Sequence, residues 1–262
     1  MINNEFDSEI KYKLFRTVNE ILHPTISKKN ISDYKIIVDE GVLPVRVFYP
    51  KKITTINKII IYVHGNGEVT NCIGEYSGIC KNFAVKTNCL IVAVEYDDIK
   101  GSYNDIINEV SKTIKYLYDK LLMNNILEED IILMSDSTGC YITSSIKEIP
   151  IRKRLLFYPV LKSKYSKKDM KNEDFNIGLI ERINKYFKDY EVIDNVSIED
   201  DYLDKGLVVV GKVDMLIDDI KNYIGESEKI ECVEVPFSGH GFLDDMDKEL
   251  SNDVFTIVNK FI

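Results

Sequence analysis

The fold is decided by the stretch Ile131-Ile132-Leu133-Met134-Ser135-Asp136-Ser137-Thr138-Gly139-Cys140, in which an apolar run ends abruptly in small residues. The run predicts a buried strand over 130–134, and residues 141–147 predict a helix directly after it. Ser137 stands at the tip of the intervening turn, where its hydroxyl lies outside any regular hydrogen-bond ladder. The segment is similar to the G-x-S-x-G pattern of nucleophilic serines, with Ser135 in place of the first glycine. Taken alone, it is more typical of an ordinary turn serine than of a nucleophile.

Apolar strands and amphipathic helices alternate along most of the chain. The sequence predicts strands over 34–38, 43–49, 58–64, 89–94, 130–134, 154–158, 207–210 and 230–235, and helices over 7–23, 74–87, 105–122, 177–190 and 248–261. This alternation predicts an α/β fold with a mostly parallel central sheet flanked by helices on both faces. Residues 162–205 are heavily charged and hold no buried-type strand, so we interpret them as an insertion over one end of the sheet within a single domain.

Ligands of open α/β sheets bind at the carboxyl ends of the strands, and chemically capable residues follow several predicted strands here. His240 lies between two glycines after the last strand, and an imidazole suits proton transfer near neutral pH. Asp214 follows the strand over 207–210 and can orient such an imidazole. The alternatives are a surface-loop histidine and an acid at a helix N-terminus, with Asp218 and Asp219 as competitors of Asp214.

A glycine-containing loop, His64-Gly65-Asn66-Gly67, follows the strand over 58–64. Glycines allow backbone N–H groups to converge on one point, where they can stabilise an oxyanion. An ordinary glycine turn is the alternative, and a phosphate-binding loop is disfavoured because neither G-x-x-x-x-G-K-[ST] nor a full G-x-G-x-x-G is present.

The order of these features along the chain strengthens their joint interpretation. The glycine loop precedes Ser137, and Asp214 and His240 follow it in the order Ser, Asp, His. That is the chain order of a catalytic triad on the α/β-hydrolase fold. Four unrelated coincidences at four strand ends would otherwise be required.

Five segments carry a family resemblance. They are His64-Gly65-Asn66-Gly67, similar to H-G-G-G; Val94-Glu95-Tyr96, similar to V-D-Y; Ser135-Asp136-Ser137-Thr138-Gly139-Cys140, similar to G-D-S-A-G-G; Leu207 to Leu216, similar to the strand and D-P-L segment that carries the acid; and His240-Gly241-Phe242, which matches H-G-F. From about Val47 to Phe242 the chain resembles the α/β-hydrolase superfamily, and within it the hormone-sensitive-lipase-like esterases.

The resemblance implies an α/β-hydrolase fold and a serine hydrolase that cleaves carboxylic esters through an acyl-enzyme. Ser137 would be the nucleophile, His240 the general base and acid, and Asp214 the residue that orients the imidazole. The short, charged insertion favours small, short-acyl esters. No metal and no organic cofactor is implied.

The resemblance also implies an oxyanion hole and a small cap. The oxyanion donors would be the backbone N–H groups of Asn66, Gly67 and Thr138, supported by His64 and Gly65. The cap would come from the N-terminal helix, within residues 1–30, and from the insertion at 162–205.

The chain departs from the family pattern at several positions. Ser135 and Cys140 replace glycines of the elbow, Asn66 replaces a glycine of the oxyanion loop, and Met215 replaces the proline after the acid. These departures keep two other hypotheses open. One is a non-catalytic protein that binds a small ligand on the same fold, and the other is an amide or peptide hydrolase that uses the same triad.

Composition excludes several classes of function. The chain has 262 residues and a formal charge of −9, which argues against nucleic-acid binding. Five scattered cysteines without a C-x-x-C pair suggest reduced, mostly buried thiols. We find neither a signal peptide pattern nor an apolar run long enough for stable membrane insertion. We therefore expect a cytoplasmic protein whose partner is a small-molecule ester substrate, and the sequence leaves its oligomeric state open.

Overall fold

Eight strands form one sheet in the computed structural model, which describes residues 21–22, 31–38, 41–51, 58–65, 73–96, 102–165, 181, 183–185, 187 and 196–262. The strands are β1 (Ile31–Val38), β2 (Gly41–Phe48), β3 (Ile59–Val63), β4 (Leu90–Val94), β5 (Ile131–Asp136), β6 (Lys153–Phe157), β7 (Lys205–Gly211) and β8 (Ile230–Val235). Their order across the sheet is β1-β2-β4-β3-β5-β6-β7-β8. Strand β2 is antiparallel to both of its neighbours and all other pairs are parallel. The mostly parallel sheet expected from the sequence is thereby confirmed.

Helices cover both faces of this sheet. They are α1 (Ile73–Thr87), α2 (Tyr103–Met123), α3 (Ser137–Ser145), α4 (Ile217–Ile224) and α5 (Lys248–Phe261). Helix α2 begins at a capping box, in which Ser102 Oγ accepts the N–H of Asp105 and the Asp105 carboxylate accepts the N–H of Ser102. Helix α5 begins at Asp247, whose carboxylate accepts the N–H of Leu250 at 2.8 Å.

The central strand β3 shows why the core has two halves. Successive side chains of a strand point to opposite faces, and all five of its residues are fully buried. Ile59, Ile61 and Val63 pack in a cluster with residues of α2, α3 and α4, whereas Ile60 and Tyr62 pack with residues of α1 and α5. A strand covered on both faces needs no polar alternation, which explains its unbroken apolar sequence.

The structure corrects two boundaries at the elbow and adds one helix. Strand β5 continues two residues beyond the predicted end, through Asp136, and the next helix begins at Ser137 rather than Tyr141. Helix α4 is absent from the sequence prediction. It spans only eight residues and buries only Ile217 and Ile220, too few apolar positions to form a clear helical period.

The cap predicted from 1–30 and 162–205 lies largely outside the described residues. Residues 21–22 are helical and buried, and so are Ile183 and Phe187 of the insertion. Phe187 packs against Tyr103 and Tyr141, with ring centroids 5.0 Å and 4.8 Å away. Phe187 of the insertion therefore lies against the start of α2 and the middle of α3. In the described part of the chain, every helix is too short or too polar to cross a membrane.

The two helical glycines Gly139 and Gly78 provide a matched test of how closely α3 approaches the sheet. A Cβ at Gly139 would lie 2.5 Å from the carbonyl oxygens of both Val63 and His64. We expect G139A to lower the free energy of unfolding by roughly 1–3 kcal/mol, because α3 or the end of β3 must shift. Gly78 in α1 is exposed, and a Cβ there would have no atom within 4 Å. We therefore expect G78A to raise the free energy of unfolding by about 0.5–1 kcal/mol.

Urea unfolding of both variants and the wild type measures these changes. A G139A protein as stable as the wild type would contradict the close approach of α3 to β3.

Candidate active site

Ser137 occupies a strained turn between β5 and α3. Its φ is +46°, a left-handed conformation that side chains other than glycine rarely adopt. The carbonyl of Ser137 accepts the N–H of Val160 at 3.0 Å, which ties the turn to the segment after β6. The side chain is half-buried and projects from the carboxyl end of the sheet. The turn thus presents the Ser137 hydroxyl directly after β5, at the position predicted from the sequence.

Three residues from three different strand ends meet in one hydrogen-bonded chain. Ser137 Oγ lies 2.9 Å from His240 Nε2, and His240 Nδ1 lies 3.1 Å from Asp214 Oδ2. The Asp214 side chain is fully buried and that of His240 is 10% exposed. Because the Asp214 carboxylate accepts only, the imidazole proton lies on Nδ1 and leaves Nε2 to accept from the serine hydroxyl. In this arrangement an imidazole can withdraw a proton from a hydroxyl.

The loops that carry the acid and the histidine are packed against each other. The N–H of Val213 donates to the carbonyl of Ser238 at 3.0 Å. Gly211 has no space for a side chain, because a Cβ there would lie 2.1 Å from the same carbonyl oxygen. This contact sets the distance between Asp214 and His240.

Asp214 is the acid that meets the histidine, and its competitor Asp219 pairs elsewhere. Asp214 Oδ1 accepts the N–H of Leu216 at 2.9 Å while its other oxygen faces His240, so the acid also supports the start of α4. Asp219 instead pairs with Lys162. Asp214 is therefore both an acid that contacts the histidine and an acid near a helix N-terminus, the two interpretations that the sequence left open.

Two aromatic side chains that the sequence did not single out support the imidazole. The ring of Tyr158 lies 4.9 Å from that of His240, and Phe242 packs against Tyr158 at 5.0 Å.

Tyr158 has a φ of +35°. Five described non-glycine residues have a positive φ; two are asparagines, and the others are Ser137, Tyr158 and Phe237, which precedes the histidine loop. Backbone strain of this kind concentrates at functional sites.

The first residues of the glycine loop are held by tyrosine hydroxyls. Tyr96 Oη–H donates to the carbonyl of His64 at 2.5 Å, and Tyr76 Oη–H donates to that of Gly65. A Cβ at Gly65 would lie 2.8 Å from Ser137 Cβ, so the loop begins beside the serine. Thr138 follows Ser137 in the first turn of α3 and is buried. Asn66 and Gly67, the other two predicted oxyanion donors, lie outside the described residues.

His64 is a buried aromatic component of this loop. Its ring stacks between Tyr76 and Tyr96, with centroids 4.4 Å and 4.6 Å away. Burial lowers the pKa of His64 to about 4, against a smaller opposite effect of its contact with the Gly65 carbonyl. Nδ1 lies 3.0 Å from that carbonyl oxygen, so it carries the proton of the neutral ring. His64 therefore supports the loop as a neutral side chain.

Asp136 is a buried carboxyl group beside the serine. Burial raises its pKa to about 6, while hydrogen bonds from Tyr62 and from the Gly65 N–H act in the opposite direction. The nearby Asp244 raises this pKa further and His240 lowers it. The sequence contained a signal for this residue, since an acid precedes the serine in the G-D-S-A-G-G pattern, but it assigned Asp136 no role.

The two substitutions in the elbow are accommodated by mutual contacts. Ser135 Oγ lies 2.9 Å from Thr143 Oγ1 and 3.3 Å from Cys140 Sγ. All three side chains are buried, which satisfies the added hydroxyl inside the core. The described cysteines are free thiols, three of them buried, as the sequence suggested.

Among the described residues, no group of three or more histidine, cysteine, aspartate or glutamate side chains is arranged to hold a metal ion.

Comparison with known proteins agrees with this geometry. A family model described as the alpha/beta hydrolase fold matches residues 60–244, more than two thirds of the chain. The chain belongs to this family, which confirms the superfamily that its motifs predicted. A sequence comparison with curated proteins finds no match.

Several solved structures share the fold over nearly the whole chain. An esterase of Pyrobaculum calidifontis is 15% identical with a TM-score of 0.71, and the match covers 99% of this chain and 94% of that one. EstE1, a thermostable carboxylesterase from a metagenomic library, is 18% identical with a TM-score of 0.71, covering 98% and 96%. A Rhizomucor miehei esterase is 17% identical with a TM-score of 0.72, covering 97% and 88%. At these identities the likeness establishes the α/β-hydrolase fold.

The buried Asp136 carboxyl predicts a pH dependence of stability. Folding raises its pKa from the ordinary 3.8 to about 6, so its contribution to stability is complete below the lower value and is lost as the pH rises through the upper one. D136N does not titrate. We expect the free energy of unfolding of D136N, relative to the wild type, to increase by roughly 2 kcal/mol between about pH 4 and 7.

Urea unfolding at both pH values measures this difference. A relative stability that is the same at the two values would contradict the raised pKa of Asp136.

Proposed function

We propose that this protein is a serine hydrolase that cleaves carboxylic esters through an acyl-enzyme. The observation that carries the proposal is the hydrogen-bonded chain from Ser137 Oγ through His240 to Asp214, with distances of 2.9 Å and 3.1 Å. Two further lines of support are the resemblance of the motifs to hormone-sensitive-lipase-like esterases and the similarity of the fold to proteins named as esterases.

The mechanism follows from the positions of these groups. His240 Nε2 removes the proton of Ser137 as Oγ attacks the ester carbonyl, and Asp214 stabilises the resulting imidazolium through Nδ1–H. His240 then donates the proton to the leaving alcohol, and the acyl group remains on Ser137. A water molecule, deprotonated by the same imidazole, attacks the acyl-enzyme. The bond between the acyl carbon and Ser137 Oγ then breaks, His240 returns the proton to Oγ, and the acid is released.

The tetrahedral oxyanion needs N–H donors near Ser137. We assign this function to the backbone N–H groups of Thr138, Asn66 and Gly67. Thr138 begins the first turn of α3, where N–H groups point toward the helix N-terminus and favour negative charge. The loop that leads to Asn66 and Gly67 starts beside the serine, as the contact between Gly65 and Ser137 requires.

We also propose a preference for small, short-acyl esters. The insertion at 162–205 is short and charged, and its described residue Phe187 packs directly on Tyr103 and Tyr141. A long acyl chain that entered between Phe187 and these two rings would have to displace them.

The first test of this proposal replaces the serine. We expect S137A to lower kcat/KM for p-nitrophenyl acetate by at least about 10⁴-fold, because the acyl-enzyme forms on this hydroxyl. Labelling by a fluorophosphonate probe should disappear with it. The matched control is S145A on the same helix, whose hydroxyl donates to the Tyr141 carbonyl, and which should retain both signals.

Turnover by S137A at the wild-type rate would refute the proposed nucleophile. Absence of ester turnover and of labelling in the folded wild type would instead favour a non-catalytic protein that binds small ligands.

The second test is a series of p-nitrophenyl esters of increasing acyl length. We expect kcat/KM to be highest for acetyl and butyryl esters and to fall by about tenfold or more at octanoyl, because the added methylenes meet filled space. The control is the matching acetyl p-nitroanilide, which distinguishes an esterase from an amide hydrolase. A specificity that rises steadily with acyl length would contradict the small-substrate assignment.

A further inference from the structure

We propose that Asp136 is a positioning residue that holds the oxyanion loop in place relative to the nucleophile. The inference rests on the proposed esterase function and extends it to a residue outside the triad. Its basis is a direct hydrogen bond between the carboxylate of Asp136, which is next to Ser137 in the chain, and the backbone N–H of Gly65, where the oxyanion loop begins.

The Asp136 side chain does not serve the helix that it precedes. Asp136 is the N-cap residue of α3, a position where aspartate usually accepts an N–H of the first turn. No such bond is present for this N-cap. The carboxylate instead accepts the N–H of Gly65 at 2.9 Å and the hydroxyl of Tyr62 at 2.7 Å, both through Oδ1. It links the end of β5 to the end of β3.

This link joins the two segments that must act on the same intermediate. Ser137 forms the bond to the carbonyl carbon, whereas the residues after Gly65 supply donors to its oxygen. Oxyanion donors are effective only within a narrow distance of about 2.7–3.1 Å from that oxygen. The contact between Gly65 and Ser137, in which a Cβ at Gly65 would lie 2.8 Å from Ser137 Cβ, leaves the loop little freedom on that side. The carboxylate holds the loop by its backbone.

A hydrogen bond to the imidazole is not available to Asp136, and the two groups interact only through their charges. His240 Nδ1 is occupied by Asp214 and Nε2 by Ser137, so neither ring nitrogen faces Asp136 as a donor. A further hydrogen bond comes from Tyr158, whose Oη lies 3.5 Å from Oδ2. The contact with Gly65 is therefore the hydrogen bond through which Asp136 reaches the oxyanion loop.

A buried carboxyl group also lowers the stability of the fold, which a purely structural position would not require. Asp136 is buried, and the hydrogen bonds that it accepts come from a hydroxyl and an amide. Burial raises its pKa, which means that the ionised form destabilises the fold at neutral pH. A buried charge retained beside a strained catalytic turn is the arrangement expected of a functional group.

The test compares D136A with D136N, which keeps an oxygen able to accept from Gly65 and Tyr62. The matched control is D119A, which removes an exposed carboxylate from α2. The first measurement is hydrogen exchange of the Gly65 amide at single-residue resolution. We expect about tenfold or faster exchange in D136A and a rate within about threefold of the wild type in D136N and D119A, because only D136A loses the acceptor.

The second measurement separates kcat from KM for p-nitrophenyl acetate. We expect D136A to lower kcat by about 10–100-fold with KM changed less than about threefold, because misplaced donors weaken stabilisation of the transition state alone. D136N should recover most of kcat. If Asp136 had a merely structural role, the activities of D136A and D136N would fall according to their stability. A large change in kcat with little change in KM would then not be seen.

D136S serves as a second deletion variant if D136A does not fold, because its hydroxyl is one bond shorter than the carboxylate and cannot span the distance to Gly65. The proposal is overturned if the Gly65 amide exchanges at the wild-type rate in the deletion variant, or if D136N is as impaired as that variant. A wild type without ester turnover refutes the esterase assignment, while the exchange measurement still decides whether Asp136 holds the loop.

Discussion

The left-handed backbone of Ser137 is the constraint on which the site depends. A φ of +46° at a residue with a side chain costs on the order of 1–3 kcal/mol. The surrounding structure maintains it through the hydrogen bond from Val160 and through the close packing of Gly139 against the end of β3. The result is a sharp exit from β5 that points Oγ at His240. A relaxed turn would direct the hydroxyl into the ladder or into the helix.

Tyrosines connect this turn to its surroundings. Tyr62, Tyr76 and Tyr96 each donate a hydroxyl to a group near the start of the oxyanion loop, and the rings of Tyr62 and Tyr96 are fully buried. A buried tyrosine provides apolar packing and one directed hydrogen bond at the same time. This combination orders the backbone at His64 and Gly65 with little free polar surface. It also explains how an acidic residue such as Asp136 is kept inside the core.

Much of the fold was predictable because its signals are local. The sequence of each element is enough to show the apolar runs of β3, β4 and β5 and the amphipathic pattern of α2. The boundaries at the elbow were not, because Ser135 and Asp136 look like turn residues in isolation. Ser135 and Asp136 continue β5 because the neighbouring strands β3 and β6 supply their hydrogen bonds. Helix α4 was missed because two buried residues, Ile217 and Ile220, carry no period.

The sequence by itself determined the class of fold and proposed three residues, Ser137, Asp214 and His240, from their order after apolar strands. Only the tertiary structure decided that Asp214, and not Asp219, faces the histidine, because that choice depends on how two loops pack at Gly211. The partners of Asp136 were decided in the same way. Hydrogen bonds between residues about seventy positions apart have no local signature, since they exist only once the strands are side by side.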